Sequence, residues 1–231
     1  PKLGANEFKG LPRLAKLNDT EKRLVFYHDQ LVAVVDLREA RKIVRCELVE
    51  TYEKSEAEQV LRNLSRSHLR IRTISFKEMM LLMDKCDSLD THFNESAIMS
   101  HGSEEKSSRG NTWRIGIVPG TKWCGTGDIA ENYHDLGWAT NIDRCCRAHD
   151  LCPVKIRSFK SRYNLSNLSF YSRSHCACDE TFYRCLKKTN DSSAGFIGNI
   201  YFNIAQPNCI EEDAAANDNN IKKFVPLKRA F

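Results

Sequence analysis

Eight of the ten cysteines fall between Cys124 and Cys209, and two of them, Cys145 and Cys146, are adjacent. Adjacent cysteines do not sensibly pair with each other here, so each must reach a different element. If the stretch is a helix, Cys145 and His149 are four residues apart, Cys146 and Asp150 are four apart, and His149 and Cys152 are three apart. One helix then projects crosslinks and titratable groups in several directions and is pinned on two sides. An even cysteine count is the usage expected of an oxidising compartment, so the chain reads as secreted and extracellular.

N-glycosylation acceptor triplets at Asn18, Asn63, Asn94, Asn164, Asn167 and Asn190 point to the same route. The first residue is Pro1 and no charged-then-apolar leader follows, so the start reads as processed or truncated. Lys plus Arg exceed Asp plus Glu by 35 − 30 = 5. That mild positive balance suits attraction to anionic lipid surfaces, and no nucleic-acid partner is expected. No apolar run approaches the roughly 20 residues of a membrane-spanning helix.

The first ninety residues have a different character. Arg23–Tyr27, Leu31–Asp36 and Lys42–Val49 read as strands of an antiparallel meander, broken by short polar turns. Ser55-Glu-Ala-Glu58 has the form of a capping box before a helix reaching about Ser67. Ser75-Phe-Lys-Glu78 repeats the signal before Met79–Met83, a cluster that reads as helix core. Cys46 and Cys86 are expected to pair with each other; the alternative is a reactive or metal-binding thiol pair. Residues 1–93 therefore read as a small α+β domain of unassigned role, possible as a pro-domain. Residues 94–112 turn to Ser, Glu, Lys, Gly and His and read as a flexible linker, with a processing site near Arg109 or Arg114. Residues 113–231 form the second domain. It holds helices near 141–151, 176–186 and 196–204, and it ends in a short basic segment expected to fray or to touch a membrane interface.

The second domain carries the chemistry. His149 has a carboxylate as its immediate neighbour, Asp150, and a loop with alternate glycines lies upstream, Trp123-Cys-Gly-Thr-Gly127. Alternate glycines let a backbone bend sharply so that successive carbonyl oxygens converge on one point. Hard cations such as calcium take carbonyl and carboxylate oxygens, and Asp150 would complete such a set. A zinc site made of Cys145, Cys146, His149 and Cys152 is the rival chemical reading.

Four segments together carry a resemblance: Pro119-Gly-Thr-Lys-Trp-Cys-Gly-Thr-Gly127, Cys145-Cys-Arg-Ala-His-Asp-Leu-Cys-Pro153, Cys176-Ala-Cys-Asp-Glu-Thr-Phe-Tyr183 and Tyr201-Phe-Asn203. In order and spacing they resemble the bee-venom type of secreted phospholipase A2, the group III class, from about Ile115 to Cys209. The resemblance implies a mainly α, disulfide-rich catalytic domain with antiparallel core helices. It implies one calcium ion on the carbonyls of Trp123, Gly125 and Gly127 and the carboxylate of Asp150. It makes His149 the general base, Asp179 its orienting partner, Tyr201 a member of the same hydrogen-bond network and the Gly125 amide an oxyanion donor. It also suggests disulfides Cys124–Cys146, Cys145–Cys185, Cys152–Cys178 and Cys176–Cys209, with Cys46–Cys86 outside the matched region. The bee-venom relatives continue past the last shared cysteine with a longer tail and a further cysteine pair, where this chain has only its short basic segment.

The implied activity is calcium-dependent hydrolysis of the sn-2 ester of glycerophospholipids by a monomer bound peripherally at a phospholipid membrane surface. Two alternatives stand beside it. One is a non-catalytic binding protein or toxin acting on a receptor or channel. The other is a dormant precursor whose first 110 residues cover the site until cleavage.

Overall fold

The computed structural model describes residues 8–98, 116–189, 191–213 and 221–231. Arg109, Arg114, Asn190 and most of the stretch read as linker lie outside the described residues. The chain divides into two units, residues 1–115 with 131–135, and residues 116–130 with 136–231.

Among the described residues, the first unit is a four-stranded sheet with two α-helices. Strands β1 (Lys22–His28), β2 (Leu31–Arg38) and β3 (Lys42–Glu50) form the antiparallel meander. The β1–β2 turn closes at His28 opposite Leu31, with Asp29 at φ +46°, the left-handed conformation that two-residue hairpin turns demand. β2 is central and buried from Leu31 to Asp36, which explains its continuous apolar run rather than an alternating one. Helix α1 (Lys54–Arg66) lays Val60 and Leu64 on a core of Val25, Val32, Val34 and Val49. Sequence reading places its capping box at Ser55 and Glu58, but the cap is Glu53, whose backbone N–H donates to Glu56 at 2.9 Å. The helix starts earlier because a glutamate pair makes the same reciprocal bonds two residues upstream.

A fourth strand, β4 (Ile71–Thr73), runs parallel to β1 and sets the order β3-β2-β1-β4. Helix α2 (Phe76–Ile98) opens on Ser75 and Glu78 and buries Met79, Met83 and Cys86; it extends past position 93 into the stretch read as linker. The Cys46–Cys86 disulfide ties it to β3. The buried carboxylate of Asp36 receives Arg23 at 2.6 and 2.8 Å and Arg45 at 2.9 Å. Its neighbour Glu21 receives Arg38 and Arg45, and the Asn18 amide together with these cations holds Glu21 below the usual carboxylate range.

In the second unit, helices α3 (Thr140–Asp150) and α4 (Cys176–Lys188) pack together. Cys145, midway along α3, joins Cys185, late in α4, whereas Cys152, just past the end of α3, joins Cys178, early in α4. Those two bridges require the helices to run antiparallel. Cys124–Cys146 fastens the glycine loop to α3, and Cys176–Cys209 fastens α4 to the segment that follows. Each bridge closes a loop of 22 to 40 residues, a length at which crosslinking contributes about 3–4 kcal/mol.

The unit is not purely helical. Among the described residues it also holds three two-stranded ribbons: β5 (Lys155–Ile156) with β8 (Arg173–Ser174), β6 (Ser161–Arg162) with β7 (Leu165–Ser166), and β9 (Cys209–Glu212) with β10 (Lys222–Val225). The β9–β10 pair incorporates residues that sequence reading leaves to a fraying tail. Asn167 is fully buried, and its amide donates to the carbonyls of Ile156, Arg157 and Tyr171, so that triplet does not present a glycan acceptor in the folded chain. Helix α5 (Ser192–Gly198), capped by Asp191, passes directly into a π-helical turn, Asn199–Ala205.

Candidate active site

His149 lies in the last turn of α3 and Asp179 in the first turn of α4, so the antiparallel helix pair brings them face to face. The His149 Nε2–Asp179 Oδ1 distance is 2.7 Å, with the histidine side chain 12% exposed and the aspartate 1%. With Nε2–H donating to the carboxylate, Nδ1 is the ring nitrogen left to accept a proton. Phe182, one turn along α4, stacks on the imidazole at 4.6 Å with the planes 24° apart. The ring is thus fixed at its edge by a charge and on its face by an aromatic.

Tyr201, on the π-helical turn, donates its hydroxyl to the same Asp179 oxygen at 2.9 Å and stands 3.2 Å from His149 Nε2. Burial first, then the charges of Asp179 and Asp150, push the Tyr201 hydroxyl well above its ordinary value. It therefore stays protonated and remains a donor. Asp150 is half-buried, and its backbone carbonyl accepts from the buried Lys155 side chain.

The glycine loop is held from two sides. Val118 N–H donates to the Cys124 carbonyl and Thr126 N–H to the Gly116 carbonyl, framing an antiparallel bridge between Ile117 and Gly125. In a bridge of this kind the paired residues do not bond each other, so the amide and carbonyl of Gly125 itself face away from Ile117. A Cβ at 125 would lie 2.1 Å from the Gly116 carbonyl oxygen, so only glycine permits this approach, and Gly127 has φ +125°. Trp123 is buried and Gly125 exposed, so the loop's open side starts at Gly125.

The other support is a residue to which sequence reading assigns no role. Asp143, fully buried in the first turn of α3, accepts the backbone N–H groups of Lys122 (2.9 and 3.0 Å), Trp123 (2.7 Å) and Gly137 (2.8 Å). Burial raises its pKa, opposed by those three amides and by the charge of the equally buried Arg147. An aspartate two residues before the Cys-Cys pair is the signal available in the sequence, but two of the three donors it serves, Lys122 and Trp123, lie about twenty residues upstream.

Cys145, Cys146 and Cys152 are all in disulfides, so the zinc reading lacks its thiolates. Among the described residues no three His, Cys, Asp or Glu side chains are grouped to hold a metal. A cation here would depend on backbone carbonyls plus one carboxylate, and an all-oxygen set of that kind suits calcium. A cavity of about 520 Å³ lined by His175, Glu180, Glu212 and Leu227 lies at the start of α4 and does not include His149.

Residues 117–213 match the family model described as Phospholipase A2, an interval that contains the glycine loop, both helices, Tyr201 and all eight clustered cysteines. A phospholipase A2 of Bombus terrestris is 44% identical over 98 residues, which are 42% of this chain and 72% of that protein. One from Xylocopa appendiculata circumvolans is 42% identical over 97 residues, 42% of this chain and 54% of the relative, so the chain spans only about half of that protein's length. The human group 3 secretory phospholipase A2 is 39% identical over 116 residues, 49% of this chain and 22% of the larger protein. Shared sequence at this level, over the interval that holds the whole site, makes this chain a member of the phospholipase A2 family in its bee-venom, group III branch.

Proposed function

We propose that this chain is a secreted phospholipase A2 that hydrolyses the sn-2 ester of glycerophospholipids at a membrane surface, with calcium as its cofactor. The observation that carries the reading is the 2.7 Å contact of His149 Nε2 with Asp179, which leaves Nδ1 as the base.

Water attacks the ester carbonyl carbon while His149 Nδ1 takes its proton, a contribution of roughly 10²–10⁴ in rate. Asp179 stabilises the imidazolium that forms and holds the tautomer. The carbonyl oxygen becomes an oxyanion, toward which the outward-facing Gly125 amide donates. The tetrahedral intermediate collapses, the bond to the glycerol oxygen breaks, and the imidazolium returns its proton to that oxygen. A free fatty acid and a lysophospholipid leave. The carbonyls of Trp123, Gly125 and Gly127 and the Asp150 carboxylate would hold one calcium ion, which when bound supplies Lewis-acid polarisation of the ester and an anchor for the substrate phosphate.

The surface supports a lipid partner. Between Cys152 and Cys176 the chain has five Lys and Arg and no Asp or Glu, and the same segment exposes Phe159 (59%), Leu168 (81%) and Phe170 (80%). No described helix is long and apolar enough to cross a membrane. Peripheral attachment through the exposed apolar and basic segment, as a monomer, is the mode we assign. Fatty-acid release from mixed anionic and zwitterionic vesicles, with and without calcium, tests the reading. Calcium-dependent release is expected; none from the intact chain, nor from a form cut near Arg109 or Arg114, would favour a non-catalytic binding protein.

A further inference from the structure

The π-helical turn that carries Tyr201 is an unusual piece of backbone. Helices with i to i+5 bonds are rare and occur mostly as single-turn bulges in α-helices, frequently at functional sites. Here the turn ends in a Gln206 N–H bond to the Tyr201 carbonyl at 3.0 Å, with Gln206 in the left-handed conformation. Its interior residue Phe202 is fully buried.

Phe231 supplies the outside support. Its backbone N–H donates to Asn203 Oδ1 at 2.8 Å, and Asn203 Nδ2 donates to its carbonyl at 3.3 Å, so one side chain of the turn grips both backbone groups of a residue 28 positions away. The Phe231 ring lies flat against Gly198, the last residue of α5, where a Cβ would meet it at 2.5 Å. It stacks on Phe202 at 6.0 Å with the planes 14° apart and meets the edge of Tyr183 at 5.5 Å. Lys187 sits 4.0 Å over its centre, and Arg229 ties the same segment to Glu180 of α4 at 2.8 Å. From Phe231 the aromatic contacts run through Phe202 and Phe182, 5.9 Å apart, to the face of His149.

We propose that Phe231, gripped by Asn203 and wedged against Gly198 and Phe202, is a positioning residue that holds the π-helical turn so that Tyr201 and Phe182 fix His149 and Asp179. The inference rests on the reading of His149 as the base. Phe231 touches none of the reacting groups; it acts through the turn and the aromatic stack.

The test uses the full chain with calcium and vesicles of phosphatidylcholine and phosphatidylglycerol. It compares wild type, Phe231→Ala, Phe231→Tyr, Asn203→Ala and Phe224→Ala, the last removing a ring of the same C-terminal segment that packs on Arg173 instead. Phe231→Ala and Asn203→Ala are expected to lower kcat by about 10- to 100-fold with KM changed less than about twofold, the signature of a displaced catalytic group. The His149 Nε2–H proton resonance should shift and broaden in both. Phe231→Tyr should restore rate and resonance, and Phe224→Ala should leave both as in wild type. If Phe231→Ala and Asn203→Ala lower only the thermal midpoint, with kcat and the resonance unchanged, the proposal is overturned. Should Phe231→Ala fail to fold, Phe231→Leu, which removes the ring and leaves the Asn203–Asn199 bond of the turn intact, decides the matter by the same two readouts. A wild-type chain without lipolysis would instead count against the base assignment, and the resonance comparison would still decide whether Phe231 positions the ring.

Discussion

At His149 the location of one proton decides what the ring can do. In the proposed mechanism Asp179 accepts that proton's hydrogen bond from Nε2, with Tyr201 on the same carboxylate oxygen, and Nδ1 is left to act as the base. Substituting His149→Gln should cut fatty-acid release at least about 10²–10⁴-fold while far-ultraviolet circular dichroism stays as in wild type. Asp143 acts one step removed. Replacing it with Asn puts an amide donor among three backbone N–H donors, so the glycine loop should loosen. A calorimetric titration should then show calcium affinity falling by at least about tenfold; unchanged affinity would remove Asp143 from the account of the loop. The meeting of His149 with Asp179 was legible in the sequence because each lies in a short motif of fixed spacing, and the same motifs are what the proposed calcium roles of Asp150 and the loop rest on. Asp143 and Phe231 were not, because the Lys122 and Trp123 amides lie about 20 residues from Asp143 and Asn203 lies 28 from Phe231, and only folding brings them near.

Among the elements, the strands of the first unit were legible from apolar runs and turns, whereas β4 was hidden: three residues pairing in parallel leave no periodic signal. The cap of α1 was displaced because glutamate served where serine is the usual choice. The β9–β10 ribbon looked like a loose tail because its strands are short and polar; Cys176–Cys209, the pairing of Lys222 with Glu212 and the His175–Glu212 contact at 3.1 Å hold it. Burial works against the Glu212 charge, but His175, a backbone amide and Lys222 outweigh it and bring its pKa down to about 2. A carboxylate lowered on folding stabilises above its unfolded value of about 4.5 and loses that contribution as pH falls through about 2. Amide exchange protection at 209–212 is expected to persist at pH 5 and to decline from about 4.5 downward; in Glu212→Gln that decline should be absent. The 157–173 segment gives a separate expectation. Replacing Leu168 and Phe170 with Ser should weaken vesicle binding by about tenfold or more, since each exposed side chain stands to bury an apolar surface worth about 1.5–3 kcal/mol. Hydrolysis of a soluble short-chain substrate should be unaffected.

For the molecule as a whole, the net charge of +5 predicts that binding to anionic vesicles weakens as salt is raised, while binding to zwitterionic ones changes little. Family resemblance covers residues 117–213 and leaves the sheet and helices of residues 8–98 outside it, with their own core and their own disulfide. The catalytic reading therefore stands on the second unit alone. Its central claim is that His149 serves as the base of a calcium-dependent lipid hydrolysis, and the most direct measurement is fatty-acid release from mixed vesicles by the intact chain beside its His149→Gln variant, each with calcium and with chelator. We predict release from the unsubstituted chain with calcium and from neither of the other conditions; equal release from the variant, or release indifferent to chelator, would contradict the account.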